Sequence, residues 1–222
     1  MYMDNNKLML YGITDRSWLE YDCNGSNREH IMTLKEQVSI ALDSGVTMLQ
    51  LREKDVSKEG FLNEAIELNS ICRERNIPLI INDDIDIAIK VGASGVHLGQ
   101  KDMSALDARK ILPHDMILGV SAATVDEAIK AEESGADYIG VGDVFGTSTK
   151  KNARHITTEV LSDICKSVDI PAVAIGGITY DNLTELSGTG ISGIAVISAI
   201  FSKPDISKAV KELKSKVLEI LY

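Results

Sequence analysis

The sequence predicts an α/β protein built as a (β/α)8 TIM barrel, and three observations carry that prediction. About eight short apolar runs recur along 222 residues, separated by stretches whose apolar residues follow a helical period. Most of these runs lack alternation, as expected of parallel strands covered on both faces. The phosphate-binding signal, Gly176-Gly177, follows the seventh run rather than the first, where barrels commonly hold a phosphate.

In chain order, the first strand is expected near 8–13. Its exit, Gly12-Ile13-Thr14-Asp15-Arg16, has no G-x-G-x-x-G, which argues against an open dinucleotide-binding sheet. The second strand, 46–51, begins after Ser44-Gly45, and glycine at a helix end readily takes the left-handed closing conformation. A helix carrying Phe61, Leu62, Ala65, Ile66 and Cys72 leads to the third strand, 79–82, introduced by Pro78. The fourth, 94–98, follows Val91-Gly92-Ala93. After the fifth, 116–121, Thr124-Val-Asp-Glu127 reads as a capping-box helix start. The sixth, 137–141, follows Ser134-Gly135, and the seventh, 172–176, is introduced by Pro171. Gly190 precedes the eighth, 191–196. Residues Ile197–Phe201 then suit a short extra helix ahead of Pro204, and Ile206, Val210, Leu213, Val217 and Ile220 mark the final one. No linker or charge block divides the chain, so residues 1–222 are expected to form one TIM-barrel domain.

Composition narrows the function classes. Apolar residues make up 44% and charged residues 25%, ordinary for a globular protein. A net charge of -10 leaves no basic surplus for nucleic acid, though it permits a local cationic pocket. Cys23, Cys72 and Cys165 have no metal-like spacing and are expected to be reduced. No signal-peptide pattern and no apolar run near the ~20 residues of a membrane span appears, so a cytoplasmic location without membrane partners is expected.

Barrel active sites lie at the carboxyl ends of the strands. Strand two ends in Gln50, Arg52 and Lys54, which alternation would send to one side, with Leu51 and Glu53 opposite. A buried strand turning cationic suits the floor of an anion site; the plainer reading is a strand end entering solvent. Strand three ends in Asn82, Asp83 and Asp84, and strand four in His97, Gln100 and Asp102. Asp83 and Asp102, on neighbouring strands, would repel on meeting unless a cation lay between them, and hard oxygens suit Mg2+. Capping the next helix is the other use of Asp83 or Asp84. His97 reads better as a hydrogen-bonded core residue than as a ligand. Ser121 has no adjacent His–carboxylate pair in sequence to make it a nucleophile. Thr147, Ser148, Thr149 and Lys150, in a glycine-flanked turn, can form a phosphate nest or simply a Ser/Thr/Gly loop. Lys101, Lys151 and Trp18 are expected on the surface or in packing. Two anion sites in one mouth suggest transfer between two phosphorylated ligands.

These motifs match a known family. Gln50-Leu-Arg52-Glu-Lys54, Ile81-Asn82-Asp83, Val96-His97-Leu98-Gly99-Gln100-Lys-Asp102, Gly119-Val120-Ser121, Thr147-Ser-Thr149-Lys150, Ala174-Ile175-Gly176-Gly177-Ile178 and Val196-Ile197-Ser198 together resemble thiamine phosphate synthase, in order from Leu10 to about Phe201. The resemblance implies Mg2+-dependent joining of hydroxymethylpyrimidine diphosphate to hydroxyethylthiazole phosphate, with pyrophosphate released after ionisation of the pyrimidine diphosphate. It implies Asp83 and Asp102 as metal ligands, and Gln50, Arg52, Lys54, Asn82 and Lys150 as pyrimidine-diphosphate contacts, with Ser121 near the pyrimidine. Arg52, Lys54, Ser121 and Lys150 then form the catalytic set. Thr147, Ser148, Thr149, Gly177, Ile197 and Ser198 are implied at the thiazole phosphate. Gly146 stands where the family usually has Pro, and Ala123 where it has His. The partners implied are these small molecules, with a homodimer allowed. A thiazole tautomerase-like paralogue and a non-catalytic phosphate sensor are the rival readings.

Overall fold

The computed structural model describes residues 4–18, 32–146 and 155–221. Eight parallel strands close into a barrel in sequence order: β1 (Leu10–Ile13), β2 (Met48–Leu51), β3 (Leu79–Asn82), β4 (Gly95–Leu98), β5 (Ile117–Ala122), β6 (Tyr138–Val141), β7 (Ala172–Ile175) and β8 (Gly193–Val196). β8 returns to pair with β1, Tyr11 opposite Ala195. The expected TIM barrel is therefore present.

Several strands begin one or two residues later than the apolar runs suggest. The residues after the helix-ending glycines still belong to the turn: Val46 N–H donates to the helical carbonyl of Ala41 before Thr47 N–H reaches Leu10 of β1. Pro78 and Pro171 sit just ahead of β3 and β7, and their carbonyls accept from Leu49 and Ile139. Proline thus supplies the acceptor it has without needing the donor it lacks.

The connecting helices are α2 (Leu34–Ser44), α3 (Lys58–Glu74), α4 (Ile85–Val91), α5 (Ala105–Ile111), α6 (Val125–Glu133), α7 (Thr158–Lys166) and α9 (Ile206–Leu221), with a lead-in turn α1 (Asn5–Leu8) and the expected short α8 (Ser198–Phe201). Thr124 caps α6 by accepting from Glu127 N–H, but the Glu127 carboxylate accepts from Ala123 rather than Thr124, so the expected box is shifted by one residue. Thr33 and Glu36 form a complete capping box at α2. Between β7 and β8 a 3-10 turn, Leu183–Leu186, replaces an α-helix. Gly188 and Gly190, both at positive φ, end it before another α turn can form.

Two apolar layers follow from the strand pleat. Leu49 and Leu51 point outward into the large core under the helices, while Met48 belongs to the barrel interior with Tyr11, Ile13, Ile80, Tyr138, Val173 and Ala195. Leu8 of α1 packs with this inner cluster. The register then places Ile13 beside Gln50 and Asn82 beside His97 at the upper ends of their strands. Cys72 is buried and Cys165 half-buried, and burial raises their thiols to about 12 and about 11. No helix among the described residues is long and apolar enough to cross a membrane.

Candidate active site

Polar side chains gather where the strands end, and each is held by its own element. Gln50, the last inward residue of β2, is buried among barrel side chains and donates from Nε2 to Tyr11 Oη at 2.7 Å. Strand β2 stops at Leu51, so the alternation expected to run on to Lys54 ends there. Arg52 instead lies in the exit loop: its backbone N–H donates to buried Thr14 Oγ1 at 3.0 Å, and its guanidinium is 3.7 Å from Asp15. Glu53 is not a solvated strand end. Its side chain is 1% exposed and accepts from Arg16 at 3.2 Å, and Arg16 also binds Glu64. An isolated buried carboxylate would be costly, so Arg16 is what lets the loop beneath Lys54 remain folded inward.

The two predicted aspartates do meet. Asp102 Oδ2 accepts from Gly99 N–H at 2.7 Å, which anchors the turn after β4. Asp83 follows β3 with φ of 64°, a left-handed conformation uncommon for a residue with a side chain. Its neighbour Asp84, not Asp83, caps α4 by accepting from Ile87 N–H. Released from capping, the Asp83 carboxyl lies beside Asp102 and Asn82, which act on its protonation in opposite directions. Crowding by rim atoms, then the Asp102 carboxylate, pushes Asp83 from 3.8 to about 6, although Lys54 and Asn82 pull it down. The remaining repulsion is what a shared cation would relieve.

Below this rim runs a chain of hydrogen bonds that the sequence did not reveal. Tyr11 and Tyr138 hydroxyls are 2.9 Å apart, Tyr138 Oη is 3.0 Å from His97 Nδ1, and His97 Nε2 is 3.0 Å from Ser121 Oγ. His97 is thus a hydrogen-bonded interior residue, as expected. Ser121 does have an adjacent histidine, but the far ring nitrogen of that histidine meets a tyrosine rather than a carboxylate. Gln100 Nε2 donates to the Ser121 carbonyl at 2.6 Å, tying the exits of β4 and β5 together. The signal available in sequence was Gly119: a Cβ there would lie 2.2 Å from Tyr138 Cζ, so only glycine lets the ring cross the barrel. Gly119→Ala is expected to cost about 1–3 kcal/mol by overpacking, read as a lower urea midpoint; an unchanged midpoint would show that the ring has room to move.

On the opposite side, Val144 and Phe145 N–H groups donate to Ile175 and Gly176 carbonyls, laying the loop after β6 along the end of β7. Gly177 has φ of 62°, and a Cβ there would lie 2.2 Å from the Gly146 carbonyl. Ile197 precedes α8 without a side-chain cap, leaving exposed Ser198 at its first turn. Thr147, Ser148, Thr149 and Lys150 lie outside the described residues, as do Lys151 and Cys23. A groove of about 510 Å³ opens beside Asn82 and Asp83 and is lined further by Glu53, Val56, Phe61, Ile85 and Met103.

The model of one family, described as thiamine monophosphate synthase, matches residues 21–200. The chain belongs to the thiamine monophosphate synthase family. A thiamine-phosphate synthase of Clostridium beijerinckii is 45% identical over 95% of this chain and 96% of its own length. One from Ruminiclostridium cellulolyticum is 51% identical over 82% of this chain and 86% of its own. The solved thiamine phosphate pyrophosphorylase of Pyrococcus furiosus superposes with a TM-score of 0.86 at 40% identity, covering 98% of this chain and 99% of that one. Membership in this synthase family, with relatives that carry the synthase name, favours that reading over a tautomerase-like paralogue or a sensor.

Proposed function

We propose that this barrel is a thiamine-phosphate synthase, a transferase joining 4-amino-2-methyl-5-(diphosphooxymethyl)pyrimidine to 4-methyl-5-(2-phosphooxyethyl)thiazole. The observation that carries the reading is the meeting of Asp83 with Asp102 on the rim that also bears Arg52, Asn82 and Lys54. Family membership supplies the substrate pair.

The bond that breaks is that between the pyrimidine methylene carbon and the diphosphate oxygen, and its electron pair leaves with pyrophosphate. The thiazole nitrogen lone pair then forms the new carbon–nitrogen bond. No group need remove a proton for either event, so the protein's task is to stabilise departing negative charge. Arg52, steadied by Asp15 and Thr14, presents fixed donors, and exposed Lys54 adds a mobile charge next to Asp83. Each such charge-assisted contact gives roughly 1.5–3 kcal/mol. Lys150 and the 147–149 hydroxyls join this scheme on the strength of the family motif. Gln50 and Ser121 face the pyrimidine, while Gly177, Ile197 and Ser198 line the thiazole phosphate.

Mg2+ fits the rim residues. Asp83 and Asp102 offer hard oxygens close enough that, after burial, the Asp102 carboxylate helps raise Asp83. Mg2+ takes a carboxylate or two together with water and substrate phosphate, and these two side chains can supply that share. Bound there, Mg2+ would neutralise charge on the diphosphate.

Incubation with both substrates and Mg2+ is expected to release pyrophosphate, and omission of the thiazole phosphate to abolish it. No release with both substrates would refute the proposal. Lys54→Ala is expected to raise the KM for pyrimidine diphosphate about tenfold or more and leave that for thiazole phosphate nearly unchanged. Equal losses for both ligands would contradict the division of the mouth.

A further inference from the structure

We propose that Tyr11, Tyr138 and His97 are positioning residues that set the hydrogen-bonding polarity of Gln50 and Ser121, and thereby select an amino over an oxo pyrimidine. The inference rests on the synthase reading for its ligand and goes beyond it in assigning what recognises the ring. Its basis is one unbroken chain: Gln50 Nε2 to Tyr11 Oη at 2.7 Å, Tyr11 to Tyr138 at 2.9 Å, Tyr138 to His97 Nδ1 at 3.0 Å, and His97 Nε2 to Ser121 Oγ at 3.0 Å.

Each hydroxyl, and a neutral imidazole, has one proton to donate. With the amide nitrogen of Gln50 donating, each hydroxyl keeps its proton in a bond of this chain when Tyr11 donates to Tyr138 and Tyr138 to His97 Nδ1. His97 then carries its proton on Nε2 and donates to Ser121, whose own O–H is released toward the mouth. At the other end, Gln50 offers Oε1. The mouth thus presents an acceptor from β2 and a donor from β5. Reversal would require turning every member, including the amide.

Both tyrosines are buried, at 1% and 0% exposure, and burial holds their hydroxyls above the ordinary phenol range, so neither oxygen loses its proton to blur the pattern. Their rings meet edge to face at 6.0 Å, and the ring of His97 lies 5.6 Å from that of Tyr138. Gly119 and Gly140 leave the space for this: a Cβ at 140 would sit 3.1 Å from His97 Cε1. The chain is therefore held by packing as well as by its own bonds.

An aminopyrimidine offers an exocyclic N–H donor and ring-nitrogen acceptors, complementary to this mouth. Replacing the amino group by oxygen makes the exocyclic atom an acceptor and places a proton on one ring nitrogen, which opposes it. A site that leaves buried polar groups unpaired rejects such an analogue strongly.

The test measures kcat/KM for the amino and oxo pyrimidine diphosphates in wild type, Tyr138→Phe and Tyr11→Phe, with thermal unfolding and the thiazole phosphate KM as controls. Wild type is expected to prefer the amino form by a hundredfold or more, and each variant to lose about tenfold or more of that ratio, with the thiazole phosphate KM little changed. Two variants cut the chain at different links, so misfolding of one leaves the other to decide. An unchanged ratio in a folded variant, or equal use of both forms by wild type, would overturn the inference while leaving the synthase intact. Absence of pyrophosphate release from wild type with either form would instead defeat the underlying synthase reading, and the inference with it.

Discussion

Asp83→Asn should reduce pyrophosphate release by about 10²–10³-fold without unfolding the protein. Asparagine keeps the shape of the side chain and is among the few residues that tolerate the left-handed backbone found at φ of 64°. Charge is what the substitution removes. The same variant makes a second, independent prediction about pH. An unfolded aspartate ionises near 3.8, whereas folded Asp83 holds its proton up to about 6. Between those values Asp83 binds more protons in the native than in the unfolded state, so its own contribution to stability falls as pH rises through that window. Thermal midpoints measured without divalent ions should therefore fall more, or rise less, between about pH 4 and 6 in the parent than in Asp83→Asn. Above pH 6, added Mg2+ should raise the parent's midpoint more than the variant's. Identical Mg2+ responses, with near-normal turnover, would remove the metal from the rim.

Gly177→Ala should raise the KM for thiazole phosphate about a hundredfold. Its effect on pyrimidine diphosphate binding should be much smaller. The new methyl would face the Gly146 carbonyl at 2.2 Å and the Phe145 carbonyl carbon at 2.8 Å, both backbone atoms that cannot swing aside. A left-handed alanine adds about 1–3 kcal/mol of strain. Relief requires the loop after β6 to lift from the end of β7, undoing the Phe145-to-Gly176 bond. Calorimetric titration of each ligand separates this from general unfolding. Equal weakening of both ligands would show that the two phosphate regions are not independent.

Legibility in the sequence followed burial. Strands such as Leu79–Asn82 and Ala172–Ile175 stood out because parallel strands, covered on both faces, carry nearly pure apolar runs. The approach of Asp83 to Asp102 was legible from position, since both follow the ends of neighbouring strands. The interior chain was not legible. Tyr11 and Tyr138 sit inside apolar runs and look like packing until the register sets their hydroxyls against each other. The burial of Glu53 was not legible either: a charged residue at a strand end is normally solvated, and its partner Arg16 lies 37 positions away. The 3-10 turn at Leu183–Leu186 was hidden by a leucine spacing that suits either helix type.

The shielded sulfurs of Cys72 and Cys165 have a practical corollary. Thiolates react and thiols scarcely do, and these two hold their protons to about 12 and about 11. In a native population an alkylating reagent should reach buried Cys72 mainly during transient openings, and half-buried Cys165 more readily. Mass-spectrometric label uptake at those positions would then serve as a built-in stopwatch for breathing of the outer shell, with no probe engineered into the protein.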